Sequence, residues 1–386
     1  MPIIPAPYTQ YGGVWNLTSQ SQAQGSGTWA TPPQPYLYTW GSNNLGQLGL
    51  NNTTNYSSPK QVGSTANWSN LASGVLCTFA TKISGTLWSW GYGANGQLGL
   101  GNTTSYSSPK QVGALTNWLN VSSGNYSTIA IKTDGTLWAW GFNGDGQLGL
   151  GNTTKYSSPK QVGALTNWSK VSCAKQASIA IKTDGTLWSW GNNTSGQLGL
   201  GNTAYYSSPK QVGSLTTWSN LTSSRGFTLA TKTDGTLWAW GLNNQGQLGL
   251  GTTTNYSSPK QVGALTNWLN VSAGYYHTLA IKTDGTIWSW GTNAFGQLGI
   301  GNTTYYSSPK QIGLLTNWLN ISAAQYFSVV TKTNGTLWSW GQNNHGQLGN
   351  GNTTNYSSPK QVGSLTNWGN LFQGCYASST SALAKF

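Results

Sequence analysis

The chain is expected to be all-β: a seven-bladed β-propeller of four-stranded blades, with the last blade closed by N- and C-terminal strands. Three observations carry this expectation. Written in lines of 50, the sequence from Pro35 aligns column by column without a gap, and Trp40-Gly41 recurs at 90/91, 140/141, 190/191, 240/241, 290/291 and 340/341. Each unit has room for four short strands and no helix-period pattern of useful length. The tail, Asn370 to Phe386, matches the start of a unit but stops before its Trp-x-Trp strand, which the head supplies at Tyr36–Gly41.

One unit serves for all. Asn120 to Ser122 is a short strand around Val121, and Ser127 to Lys132 is a second with small Ala130. Thr136 to Trp140 places Leu137 on one side and Trp138 and Trp140 on the other, at the period of two that a strand imposes. Thr133-Asp134-Gly135 joins the last two as a tight hairpin turn. A fourth strand is expected near Lys160 to Val162, after the Pro. The column Ala80, Ala130, Ala180, Ala230, Ala280 and Val330 suggests the strand nearest a crowded axis. The Trp columns read as packing between blades, each indole withdrawing about 150–250 Å² from water, roughly 4–6 kcal/mol gross.

Composition narrows the function classes. Charged residues are 6% of the chain, and all five acids are Asp, so the surface is built from Asn, Thr, Ser, Gln and backbone. Of the net charge of +13, seven lysines form one repeat column (Lys60 to Lys360) and six another (Lys82 to Lys332). That is expected as rings on solvated faces rather than a nucleic-acid patch, and a single arginine, Arg225, leaves little for bidentate readout. Cys77, Cys173 and Cys375 lack metal-like spacing and read as small buried or half-buried thiols. The start, MPIIPAPYTQ, has neither the basic region nor the apolar run of a secretory signal, and no stretch is apolar enough to span a membrane.

Catalytic constellations are absent from the pattern. His277 and His345 sit in different units with no Cys/His cluster, so no metal or cofactor is expected. Four of the five Asp (Asp134, Asp184, Asp234, Asp284) occupy one hairpin turn, leaving Asp145 without a carboxylate partner in a like position. Gly141 to Gly146 follows the spacing of a phosphate loop but opens no helix. The chain is therefore expected not to be an enzyme.

The differences among copies point to binding. Two windows vary, the residues after Trp-Gly (Tyr92 to Asn95, Phe142 to Asp145) and the turn equivalent to Gly124–Ser127. Alternate turns of an antiparallel meander share a face, so one face is variable and the Asp-Gly face uniform. The expected binding residues are Tyr92, Phe142, Asp145, Lys175, Arg225, Phe227, Tyr275, Tyr276, His277, Phe295, Tyr326, Phe327 and His345.

At Trp-Gly-x4-Gly-Gln-Leu-Gly, with His277-Thr278-Leu279-Ala280 and Asp284-Gly285, residues 35–386 resemble the regulator of chromosome condensation repeat family. The resemblance implies a seven-bladed propeller. Its founding member is a nucleotide exchange factor that also binds nucleosomes, and other members are adaptors. Exchange-factor members act through acidic and polar loops specific to single blades, whereas four of the five Asp here are the same hairpin turn, leaving Asp145 alone, so exchange activity is not expected. Ahead of the repeats, Tyr11-Gly12-Gly13-Val14-Trp15, a Gln-rich stretch and Gly27-Thr28-Trp29 resemble N-terminal segments of marine bacteriophage structural proteins such as tail fibres and appendages. Residues 1–34 are accordingly expected to anchor the chain through Trp15 and Trp29.

The resulting expectation is a virion structural protein: a tail fibre, appendage or capsid decoration. Its partners would be other virion proteins and a host-surface glycan or protein, without nucleic acid or membrane insertion. The alternatives are a cytoplasmic adaptor or exchange-factor-like propeller, and a free carbohydrate-binding lectin.

Overall fold

The computed structural model describes residues 34–371 and 378–386, so Trp15, Trp29 and Cys375 lie outside the described residues. The chain divides between Gln34 and Pro35, and the unit from Pro35 onward is described by itself. It consists of seven four-stranded antiparallel sheets, with no helix among the described residues. Blade two is representative, running from its innermost strand Trp118–Ser123 through Ser127–Lys132 and Leu137–Gly141 to the outer edge Tyr156–Gln161.

The core lies between blades rather than within them. Phe79, Leu87, Leu98 and Val112 of blade one meet Trp118, Val121, Ala130 and Trp140 of blade two, and this arrangement repeats around the ring. Ala130 pairs with Val121 on one side and Trp138 on the other, so it belongs to the second strand, not the innermost one. The expectation for Ala80, Ala130, Ala180, Ala230, Ala280 and Val330 is corrected accordingly. The small residue makes space on the indole side of the sheet, where Trp118 meets Trp138 and Trp140 edge-on at 6.2 and 5.8 Å.

The axis is polar. Asn70, Asn120, Lys170, Asn220 and Asn270 line a central cavity of about 440 Å³. Asn70 Nδ2 donates across the blade junction to the Leu119 carbonyl at 3.0 Å, and Lys170 Nζ donates to the Ser219 carbonyl and Asn220 Oδ1, each at 2.6 Å. These bonds satisfy innermost strands that have no fifth strand beside them.

The outer strand also differs from expectation. It starts at Tyr156 rather than after the Pro, and its register with the third strand shifts between Tyr156 and Lys160. Pro159, which cannot donate to a ladder, falls in that irregular stretch of an edge strand, where it is tolerated.

The repeated Gly-Gln-Leu-Gly segment fastens each blade to the next. The Gln47 carbonyl accepts from Trp90 Nε1 at 3.0 Å and from Thr78 Oγ1 at 2.8 Å, both in the following blade, while Leu48 is fully buried. A Cβ on Gly49 would stand 2.7 Å from the Trp90 indole nitrogen, so only glycine lets that ring approach.

Closure joins the two ends. Pro35–Gly41 pairs along its whole length with Ser379–Lys385, from Pro35 opposite Lys385 to Gly41 opposite Ser379. The seventh sheet takes its inner two strands from the C-terminal end and its outer two from the N-terminal end, because the head also supplies Tyr56–Gln61.

One of the two lysine rings departs from the expected solvated placement. Lys132, Lys182, Lys232, Lys282 and Lys332 are buried, and Lys132 Nζ lies 3.7 Å from the centre of the Trp138 ring. An indole face and a buried stem hold the cation where water would otherwise be expected. Burial lowers the Lys132 pKa, partly opposed by the charge of Asp134.

Candidate recognition face

Each hairpin turn of the uniform face is locked by its own side chains. Asp134 Oδ1 accepts from the Thr136 backbone NH at 2.9 Å and from Thr136 Oγ1 at 2.6 Å, and Thr136 Oγ1 accepts from Trp138 Nε1 at 2.9 Å. The Thr136 hydroxyl, and then its backbone NH, hold the Asp134 carboxyl below its usual range. The same three bonds recur around Asp184, Asp234 and Asp284. These carboxylates are turn caps.

On the opposite face the two variable windows converge. The loop after the third strand of one blade meets the turn between the first two strands of the next. Thus Tyr92 lies 6.1 Å from Tyr126, and Phe295 lies 5.3 Å from Tyr326. Three blades then contribute a continuous aromatic and cationic row. Arg225 Nη1 donates to the Tyr275 hydroxyl, and its guanidinium carbon stands 4.5 Å from the Tyr275 ring centre and 5.1 Å from that of Tyr276. Tyr275 meets Tyr276 at 4.9 Å and Tyr326 at 5.4 Å, both edge-on. Burial, followed by the neighbouring Tyr275 and Tyr276, raises the Tyr326 pKa.

The remaining expected residues are dispersed. Phe142 curls over Gly144 of its own loop, Asp145 is half-buried in blade two, and His345 is exposed on blade six. Lys175 is half-buried and lines a cleft with Arg225.

Phe227, His277 and Phe327 are corrections. Each is the first residue of a second strand and is wholly buried, so it packs between blades and presents no surface. Their turns end one residue earlier than the sequence window suggests.

A third variable column went unrecognised: Asn55, Ser105, Tyr205 and Tyr305 stand at equivalent positions beside the same loops. Asn55 Oδ1 accepts from the Asn43 NH at 2.7 Å, whereas the Tyr205 hydroxyl accepts from Asn192 Nδ2 at 2.8 Å. Its variation between Asn, Ser, Lys and Tyr was the available signal.

In the Gly141–Gly146 loop, Phe142 NH donates to the Tyr126 carbonyl, Asp145 NH to Gln147 Oε1 and Gly146 NH to the Asn143 carbonyl. These amides hold the loop to its own blade rather than facing a phosphate. Among the described residues, no three His, Cys, Asp or Glu side chains are grouped to hold a metal ion. Burial pushes the Cys77 and Cys173 thiols up to about 11 and about 12, which keeps them protonated.

His277 titrates in isolation. Its Nε2 lies 3.2 Å from Ser328 Oγ across a blade junction, and burial lowers its pKa to about 3. The unfolded chain binds this proton near pH 6.5 and the folded chain does not. Stability is therefore fully present above pH 6.5 and declines as pH falls toward 3, by about 1.4 kcal/mol per unit. From pH 6.5 to 4.5 the loss should reach about 2–3 kcal/mol. Denaturant titration at the two pH values should register that loss, and His277→Phe, the residue of blades four and six, should abolish it.

The Regulator of chromosome condensation (RCC1) repeat matches seven times, at residues 36–81, 84–131, 134–181, 184–231, 234–281, 284–331 and 334–371. The chain belongs to the RCC1 repeat family. No curated protein sequence matches it. Human WBSCR16 superposes with a TM-score of 0.81 at 20% identity, covering 91% of this chain and 99% of that one. Prp20p from Saccharomyces cerevisiae, described for its binding to Gsp1p and histones, gives 0.80 at 19% identity over 92% and 93% of the two chains. The complex of Kap60 with yeast RCC1 (Prp20) gives 0.82 at 19% identity, covering 99% and 97%. At these identities the similarity establishes the RCC1 propeller fold and nothing finer.

Proposed function

We propose that this RCC1 propeller is a non-enzymatic recognition module whose variable face binds its target, displayed on a virion through residues 1–34. The carrying observation is the row of Arg225, Tyr275, Tyr276, Tyr326 and Phe295 across three blades, set against an opposite face whose carboxylates cap turns. Aromatic and arginine side chains on loops of a rigid scaffold supply most binding energy at recognition surfaces. The virion assignment is supported by the phage-like motifs around Trp15 and Trp29 and by a glutamate-free, weakly charged composition.

Particles carrying Tyr275→Ala/Tyr326→Ala should adsorb to host cells at least tenfold less well. Particles carrying Leu165→Ser/Leu265→Ser, on the uniform face, should adsorb normally; the reverse result would reject the reading. Residues 35–386 alone should fold yet fail to enter particles, and Trp15→Ala/Trp29→Ala should weaken incorporation by several kcal/mol. If the truncated chain unfolds, the segment belongs to the core and the anchoring role is wrong.

A second reading, a cytoplasmic adaptor or exchange factor, is favoured by family membership and by the Gsp1p and histone binding of Prp20p. The chemistry of this chain weighs against exchange, since Asp145 is the only carboxylate outside the turns. Nucleotide release from a purified small GTPase should not accelerate when the chain is added.

A further inference from the structure

The junction between blades three and four is opened by one residue. Immediately before the second strand, the blades carry Leu76, Tyr126, Gln176, Gly226, Tyr276 and Tyr326 in order. Where three blades place a phenol ring, blade four has no side chain. Gly226 adopts φ +79°, and a Cβ there would meet Leu242 Cβ at 3.4 Å and Ser195 Oγ at 3.6 Å. A cleft of about 160 Å³ results, lined among others by Lys175, Gln176, Thr194, Ser195 and Arg225, and by no carboxylate.

Its chemistry is that of an anion site. Lys175 and Arg225 are the cations of the variable turns, and both face this one cleft. Arg225 commits Nη1 to the Tyr275 hydroxyl, which fixes the planar guanidinium against the ring, while a guanidinium carries five N–H donors in all. Four of the five Asp lie in turns on the opposite face, and the fifth, Asp145 in the neighbouring loop of blade two, does not line the cleft. The volume is well below the roughly 300–1,000 Å³ of a pocket that encloses a drug-sized ligand. It admits one charged group, and whatever bears that group must continue over the surface. The continuation is the aromatic row of Tyr275, Tyr276, Tyr326 and Phe295.

We infer that the cleft and row bind an acidic saccharide. Its carboxylate or sulfate sits between Lys175 and Arg225, and the adjoining sugar rings lie against the aromatic side chains. Pyranose rings offer apolar C–H faces to aromatic carbon, and their hydroxyls suit the amide and hydroxyl groups of Gln176, Thr194 and Ser195. This deepens the recognition reading and rests on it.

The test is calorimetric titration of the full chain with four probes: oligogalacturonate, a dextran sulfate oligosaccharide, neutral dextran of equal length, and a polyglutamate peptide. One or both acidic saccharides should bind at a single site per chain, the carboxylated and sulfated probes separating the two anion chemistries. Arg225→Gln and Lys175→Gln should each weaken binding at least tenfold with unchanged melting. Lys160→Gln and Lys310→Gln on the outer edge should leave it unchanged. Equal losses from the outer-edge variants, polyglutamate binding as tight as the saccharides, or no binding by either acidic saccharide would overturn the inference. Those outcomes leave the Tyr275→Ala/Tyr326→Ala adsorption result standing, so failure of the ligand class and failure of the face are separable.

Discussion

Deleting residues 378–386 should abolish cooperative unfolding altogether. The deletion removes Ser379–Lys385, the second strand of the seventh blade, and with it every partner of Pro35–Gly41 on that side. Leu37 and Trp40, both fully buried, and Trp368, which is nearly so, lose one wall of their core. Each exposed indole forfeits roughly 4–6 kcal/mol of burial, so two already rival the about 5–15 kcal/mol of net stability of a typical domain. The opened ring also presents two unpaired sheet edges, an invitation to aggregate. Thermal and denaturant melts of the deleted chain should show broad, non-cooperative transitions. A sharp transition at the original midpoint would mean that the ring is not held by its ends.

The second large effect is expected at the Gly-Gln-Leu-Gly segment. Gly99 and Gly113 are both left-handed, with φ of +74° and +60°, but a Cβ on Gly99 would stand 2.7 Å from Trp140 Nε1, whereas nothing lies within 4 Å of one on Gly113. Gly113→Ala should therefore cost only the conformational penalty of about 1–2 kcal/mol. Gly99→Ala adds overpacking of about 1–3 kcal/mol and displaces an indole whose NH donates to the Gln97 carbonyl at 2.7 Å. Its total should exceed about 3 kcal/mol, to be read from paired denaturant curves. Equal losses at the two positions would show that the motif does not carry the blade junction.

Much of the fold was legible because the repeat turns one physical problem into seven copies. The period-two alternation of Leu137, Trp138 and Trp140 and the turn at Asp134-Gly135 are local signals, and local signals survive in sequence. Which strand borders the axis is not local. Ala130 looked like a residue squeezed by crowding at the centre, yet its size answers to the indoles beside it on the second strand. The buried lysines misled for a similar reason, since nothing in the sequence says that Lys132 will find two indole faces.

The candidate site was legible in part. The variable windows located the turns and the loops after the third strands, but a one-residue difference decides whether a side chain lies on the turn or enters the strand. Tyr276 and Tyr326 stay on the surface, while His277 and Phe327, their immediate neighbours, turn into the core. The cleft at Gly226 was not visible from residue types at all, because it is made by a missing side chain between two blades.

Under the proposed function, recognition is confined to the variable face. Hydroxyl-radical footprinting of the full chain, free and bound to host cells or their shed surface polysaccharide, tests it most directly. Oxidation of Tyr275, Tyr276, Tyr326 and Phe295 should fall several-fold on binding, while the exposed Leu165, Leu215 and Leu265 of the opposite face react as before. Protection of those leucines with the tyrosines unchanged would contradict the account and move recognition to the uniform face.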